Sequence, residues 1–259
     1  MKPDVRVLPI VPLAVLLSAL PAANAGQKDE EEEDAIPFEE ARLFFELNHT
    51  DGDLGLQGLI DGDEWKRLEI EGPREALLLD VVVRGKLRRQ GLTEIFFESA
   101  EPTFDELPPP KFFKRFPAGI YEISGITLGG EELESTVVIS HVMPAPPGSI
   151  TISGVPSAPN CDAEPLPVVG EPVVIDWAEV TRSHPSVGAA GAIEVAGYQF
   201  VLEREEPELL VLSVDLPPTV TEFEVPSGFI ALGDAFKFEI VARATNGNQT
   251  VVESCFEIE

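Results

Sequence analysis

The stretch Leu43–Ile70, LFFELNHTDGDLGLQGLIDGDEWKRLEI, decides the fold class. It consists of short apolar-rich runs separated by two Asp-Gly pairs, Asp51-Gly52 and Asp61-Gly62. Asp-Gly between strand-like runs predicts a hairpin, because a type I′ turn needs positive φ at both central residues. The second pair lies between GLQGLI and EWKRLEI with almost nothing extra, which predicts a tight hairpin there. The first opens a longer loop that gathers Asn48, His49, Thr50, Asp51 and Asp53 at one end of the sheet. The stretch therefore predicts an antiparallel β module with an acidic corner.

Toward the N-terminus, residues 1–25 carry the pattern of a secretory signal peptide. Lys2 and Arg6 precede the apolar run Val7–Leu20, and Ala23-Asn24-Ala25 supplies the cleavage pattern. The run is too short for a helix that spans a bilayer. Export through a cleaved signal peptide is expected, to a secreted or periplasmic location, with Gly26 as the new N-terminus and no membrane insertion of the mature chain. Residues 26–36 hold six consecutive acids, Asp29 to Asp34, and read as a disordered acidic linker. The net charge of −28 repels nucleic acid and anionic membrane, and it attracts cations or basic partners.

The chain is long enough for two domains, and Met143-Pro-Ala-Pro-Pro-Gly148 punctuates it between them. The expected division is an N-terminal β-sandwich over 37–144 and a second domain over 145–259. In the first, the apolar run of Arg74–Arg84 predicts a strand buried on both faces. Arg84, Lys86, Arg88 and Arg89 form a basic cluster, read as an internal counter-charge. Gly91–Ser99 is either strand or short helix. Pro108 to Pro110 leads into KFFKRF, which predicts one short helix whose Phe112, Phe113 and Phe116 plug the sandwich. Gly119–Leu128 and Leu133–Val142, joined by Gly129-Gly130, predict a hairpin with Tyr121 and Ile123 on one face. The run ELNHTDGDLGLQGLIDGDEW, with FFESAEPTF and FPAGIYEISG, resembles the N-terminal module of a family of secreted bacterial proteins. That resemblance implies secretion and the domain boundary, and no activity.

In the second domain, Glu171–Val180 reads as a strand with a core Trp177, and Ile193–Glu203 alternates and places Tyr198 after a glycine. Val220–Val225, Ile230–Ala242 and Val251–Ile258 supply the later strands. As a set these resemble a fibronectin type III domain, which implies an all-β fold of two β-sandwich domains for the chain. Phe236 stands where that family has the Tyr that ties its E–F corner, so a hydrogen bond worth about 1 kcal/mol is absent there. Cys161 and Cys255 are the only cysteines, and in one domain of an exported chain they are expected to form a disulfide.

Motifs for catalysis are lacking. There is no Gly-x-Ser-x-Gly, HExxH, P-loop or CxxC, and His49, His141 and His184 lie in separate regions. The sharpest site is the acidic corner: Asn48, Asp51, Asp53, Asp61 and Asp63 offer the hard oxygens that calcium requires, although their spacing is not that of an EF-hand. The same Asp-Gly pairs serve equally as turn formers. The chain is therefore read as a non-enzymatic binding, adhesion or envelope-associated protein with a protein or cell-surface partner. The rival is a polysaccharide-associated factor, either a carbohydrate-binding module or an atypical hydrolase. Only Trp65 and Tyr121 are free of core duty to serve as a sugar platform.

Overall fold

The computed structural model describes residues 35–259; the expected signal peptide and most of the acidic linker lie outside them. The described chain is built almost wholly of strands. The first seven are β1 (Glu40–Asn48), β2 (Asp53–Gly72), β3 (Ala76–Val82), β4 (Leu92–Glu98), β5 (Gly119–Thr127), β6 (Glu132–Ile139) and β7 (Val142–Pro144). Helix α1 (Pro109–Arg115) falls between β4 and β5. Ten more follow: β8 (Gly148–Ile152), β9 (Val155–Pro156), β10 (Val168–Val169), β11 (Val174–Ala178), β12 (Ser183–Gly188), β13 (Val195–Arg204), β14 (Leu210–Leu216), β15 (Glu222–Glu224), β16 (Ala235–Ala244) and β17 (Gln249–Ile258). A single turn, α2 (Ser227–Ile230), precedes β16.

The principal sheet has 11 strands: eight run in the order β14-β13-β16-β17-β1-β2-β5-β6, while β10 pairs with β17, and β3 and β4 pair with β2. A four-stranded sheet, β15-β11-β8-β9, packs on its C-terminal part through Trp177, Ile175, Phe200 and Phe238. Alternating strands with one apolar face require such a second layer, and the result is a β-sandwich. Each half has its own core. Phe45, Trp65, Tyr121 and Phe112 belong to the first, Trp177, Tyr198 and Phe256 to the second.

The first expectation to fail is the hairpin at Asp61-Gly62. β2 is one continuous strand of 20 residues that passes straight through this pair. Asp61 pairs with Glu40 on β1 and Glu94 on β4, and the pairing shifts before Trp65, where β2 moves over to β5 and β3. Gly62 is needed for close packing, since a Cβ there would stand 3.0 Å from the Phe38 ring. Gly52, by contrast, has φ of +69° and forms the turn expected of it.

Arg74–Arg84 is likewise not a strand buried on both faces. β3 pairs only with β2, and it leaves Leu77 60% and Val82 46% exposed. Gly91–Ser99 resolves as strand. The helix forms as expected: prolines at its first positions have a suitable φ and need no N–H partner, and Lys114 and Arg115 suit its C-terminal end. Phe112 and Phe113 pack edge-on against Phe45 at 5.5 and 5.4 Å. Such pairs each add about 0.5–1.5 kcal/mol beyond burial.

The halves meet at a polar seam. β1 and β17 pair in parallel, with Glu46 opposite Gln249 and Asn48 opposite Val251. Buried Asn248 secures this junction: its Oδ1 accepts from Phe45 N at 2.9 Å, and its Nδ2 donates to the carbonyls of Ser140 and Val142 at 2.7 and 3.1 Å. Thr250 Oγ1 donates to Pro144 O at 2.8 Å. The expected disulfide, Cys161–Cys255, is formed and closes 94 residues. At Phe236 the missing hydroxyl is replaced by ring packing against Phe256 and Phe229. In the first half Tyr121 Oη does donate to an upstream carbonyl, that of Pro117, at 3.0 Å.

Candidate cation site

The β1–β2 turn is closed by Asn48. Its Oδ1 accepts from the N–H groups of Thr50 and Asp51 at 3.0 and 3.2 Å, and its Nδ2 donates to Asp51 Oδ2 at 3.1 Å. The oxygen that Asn48 would offer a metal is thus engaged in holding the turn. Thr50 Oγ1 donates to Glu253 O and accepts from Glu253 N, which docks the turn on β17. Asp61 lies eight ladder positions from the Asn48–Asp53 pair, about 26 Å at the usual strand rise. Asp61 and Asp63 therefore belong to no common corner with Asn48, Asp51 and Asp53. The error follows directly from the missing hairpin, because a continuous β2 carries them to its far side.

The structure assembles a different group. Residues directly opposite one another in a ladder share a face, so Glu46 opposite Gly55 and Glu98 opposite Gln57 stand together. The segment after β4 then folds back along β2. Ser99 Oγ accepts from Leu56 N at 2.9 Å, and Phe104 N donates to Gly52 O at 2.8 Å. This lays Glu101 over Gly55, where a Cβ would be only 2.3 Å from Glu101 Oε1. One carboxylate oxygen from each of Glu46, Glu98 and Glu101 lies within 4.8 Å of the others. Asp53 flanks the group, and its Oδ1 is buried without a hydrogen-bond partner.

No ion pair among the described residues involves these three glutamates. Glu46 is relieved by amides, with Gln249 Nε2 donating to its Oε2 and Gln57 buried beside it, and Glu101 shares a hydrogen bond with Glu98. Burial, then the charge of Glu98, raises the Glu46 carboxyl above its ordinary value. Glu101 is pushed up to about 8 by burial and then by Glu98, Glu46 and Asp53. Asp53 rises to about 6 through burial and the charges of Asp51 and Glu253. Unrelieved carboxylates of this kind hold a proton or a cation. Glu46, Gln57 and Glu98 open onto a groove of about 760 Å³ that lies over the β1–β17 seam, with Phe96, Gln199 and Arg243 among its other lining residues.

This group was not legible as a site, since Glu46, Glu98 and Glu101 follow no short motif. Trp65 and Tyr121, the remaining candidates for a sugar platform, are 0% and 2% exposed and so unavailable for stacking. No helix among the described residues is long and apolar enough to cross a membrane.

No protein-family model matches the sequence, and no curated protein does. Among solved structures, a 1.5-MDa bacterial ice-binding adhesin is similar at a TM-score of 0.25 and 11% identity, over 87% of this chain and 66% of that one. A tetra-tandem repeat from the extending region of a large adhesion protein gives 0.28 and 10%, over 85% of this chain and half (50%) of the other. A two-domain fibronectin type III segment from chicken tenascin gives 0.25 and 12%, over 84% and 97%. Likenesses this distant carry no function to this chain.

Proposed function

We propose that this chain is an exported, non-enzymatic binding protein. In this reading two sandwich domains, 37–144 and 145–259, share one sheet, meet a protein or cell-surface partner across the groove at their seam, and hold calcium at Glu46, Glu98 and Glu101. The observation that carries the reading is the set of three close carboxylates, none in an ion pair among the described residues, two of which line the groove. An all-oxygen donor set favours calcium over zinc or copper, which prefer nitrogen and sulfur. The disulfide supports an oxidising compartment. A non-enzymatic role is supported by the histidines, whose polar contacts are with one another and with backbone groups rather than with a hydroxyl or thiol nucleophile. Burial of all four Trp and Tyr side chains weighs against the polysaccharide alternative.

Thermal unfolding in 1 mM calcium tests the reading. Extracellular calcium modules bind at about 10⁻⁴–10⁻³ M, which corresponds to about 0.4–1.4 kcal/mol of linkage. A chain of this size should then melt about 1–5 °C higher with calcium. The Glu98→Gln/Glu101→Gln variant should lose that rise. An equal rise in the variant, or the same rise with magnesium, contradicts the site.

A further inference from the structure

The two histidines at the seam carry an inference independent of the carboxylate group. His49 sits in the β1–β2 turn of the first half, and buried His184 lies on β12 of the second. β12 reaches across the seam: Ser183 pairs with Pro144 and Gly188 with Val142, and Val187 enters the first core. His184 Nε2 is 3.2 Å from His49 Nδ1. His184 Nδ1 accepts the N–H groups of Ser186 and Val187, at 3.2 and 2.9 Å. Two backbone donors aimed at Nδ1 place the His184 proton on Nε2, so His184 donates to His49. That assignment also disfavours a metal between the rings, which would require the Nε2 lone pair and move the proton to a nitrogen already facing two donors.

We propose that His49 and His184 form a proton-operated latch, closed while His49 is neutral and accepts from His184, and opened when His49 is protonated. Protonation of His49 at Nδ1 sets two N–H groups against each other. Protonation of His184 sets a third donor against those of Ser186 and Val187. Only the first loses the tie between the turn and the β12 segment; the second breaks the local bonds of β12 to Nδ1, while Nε2–H still faces His49.

The ionisable groups on the surrounding elements are Asp51 and Asp53 on the turn, Glu253 on β17 and Arg182 before β12, with Lys111, Lys114 and Arg115 on α1, which packs on β12. None of them offsets the penalty on the imidazolium. Burial and then the His49 charge hold His184 down at about 4, and burial lowers His49.

Nitrogen-15 NMR of the imidazole rings between pH 7.5 and 4 tests the latch on the intact protein. The expected result is an Nε2–H tautomer for His184 at neutral pH and midpoints for both rings below the ordinary 6.5. A His184 Nδ1–H tautomer, or either ring titrating at 6.5 or above, overturns it. The His49→Gln variant provides a second readout, because its amide oxygen accepts from His184 without titrating. At pH 4.5 the Val187 amide should exchange about tenfold faster in wild type than in this variant, the equivalent of one pKa unit. Equal exchange in the two proteins also overturns the latch.

Discussion

Two carboxylate groups on neighbouring strands of one sheet are neutralised in opposite ways. Glu239 and Glu253 share Lys237, whose Nζ stands 3.2 and 2.8 Å from them. Burial alone would lower the lysine, yet the two carboxylates overcome it and raise it above its ordinary value. Glu46, Glu98 and Glu101 form a comparable group with no ion pair to any of them among the described residues. The difference teaches that acidity is not what marks a cation site in this chain, where acids outnumber bases 46 to 18. What marks it is a close group of partly buried and exposed carboxylates that the fold leaves without an ion pair of its own.

The largest effect should come from removing the internal cation. Lys237→Met leaves two largely buried carboxylates unpaired and should destabilise the protein by about 3 kcal/mol in a denaturant titration. A loss below about 1 kcal/mol would mean that solvent screens this group and that the contrast with the other one is unfounded.

Next comes pH. Glu101 is raised, so its contribution to stability is complete below about pH 4.5 and is lost as pH rises through about 8. His184 is lowered, so its contribution is complete above about pH 6.5 and is lost as pH falls toward 4. The two slopes oppose each other between 4.5 and 6.5. Asp53, raised to about 6, adds to the Glu101 slope inside that window, so the clean signature is a decline in melting temperature above pH 6.5, where His184 and Asp53 have largely finished titrating. Glu101→Gln should remove the decline on the alkaline side alone, and an unchanged alkaline limb would show that the repulsion is not at Glu101.

The smallest effect is expected at the turn. Asp51 is exposed, and it is raised through partial burial and the charges of Glu253 and Asp162. Asp51→Asn should shift stability by less than about 0.5 kcal/mol and leave the calcium response intact. Loss of that response would return the site to the turn.

The contrast also shows what could be read from the residues. The second half was legible because alternation in Ile193–Glu203 and Ile230–Ala242 maps directly onto β13 and β16. The disulfide followed from there being two cysteines in a chain expected to be exported. Asp61-Gly62 misled because a glycine required under the Phe38 ring has the same letter as one required by positive φ. The run Arg74–Arg84 misled because an edge strand can leave Leu77 and Val82 in solvent. Glu46, Glu98 and Glu101 stayed invisible for another reason: strand register and the fold-back at Ser99 and Phe104 bring them together, and neither leaves a local pattern.

Calorimetric titration of the protein with calcium at pH 7, in PIPES and in Tris, tests the cation site most directly. With Glu101 held at about 8, the group carries a proton at this pH that an arriving cation must displace. Calcium should bind saturably and release about one proton per ion, seen as a difference in heat between the two buffers. Release should fade by pH 9.5, where the group is already ionised. Identical heats in the two buffers at pH 7, or no saturable binding, would contradict the site.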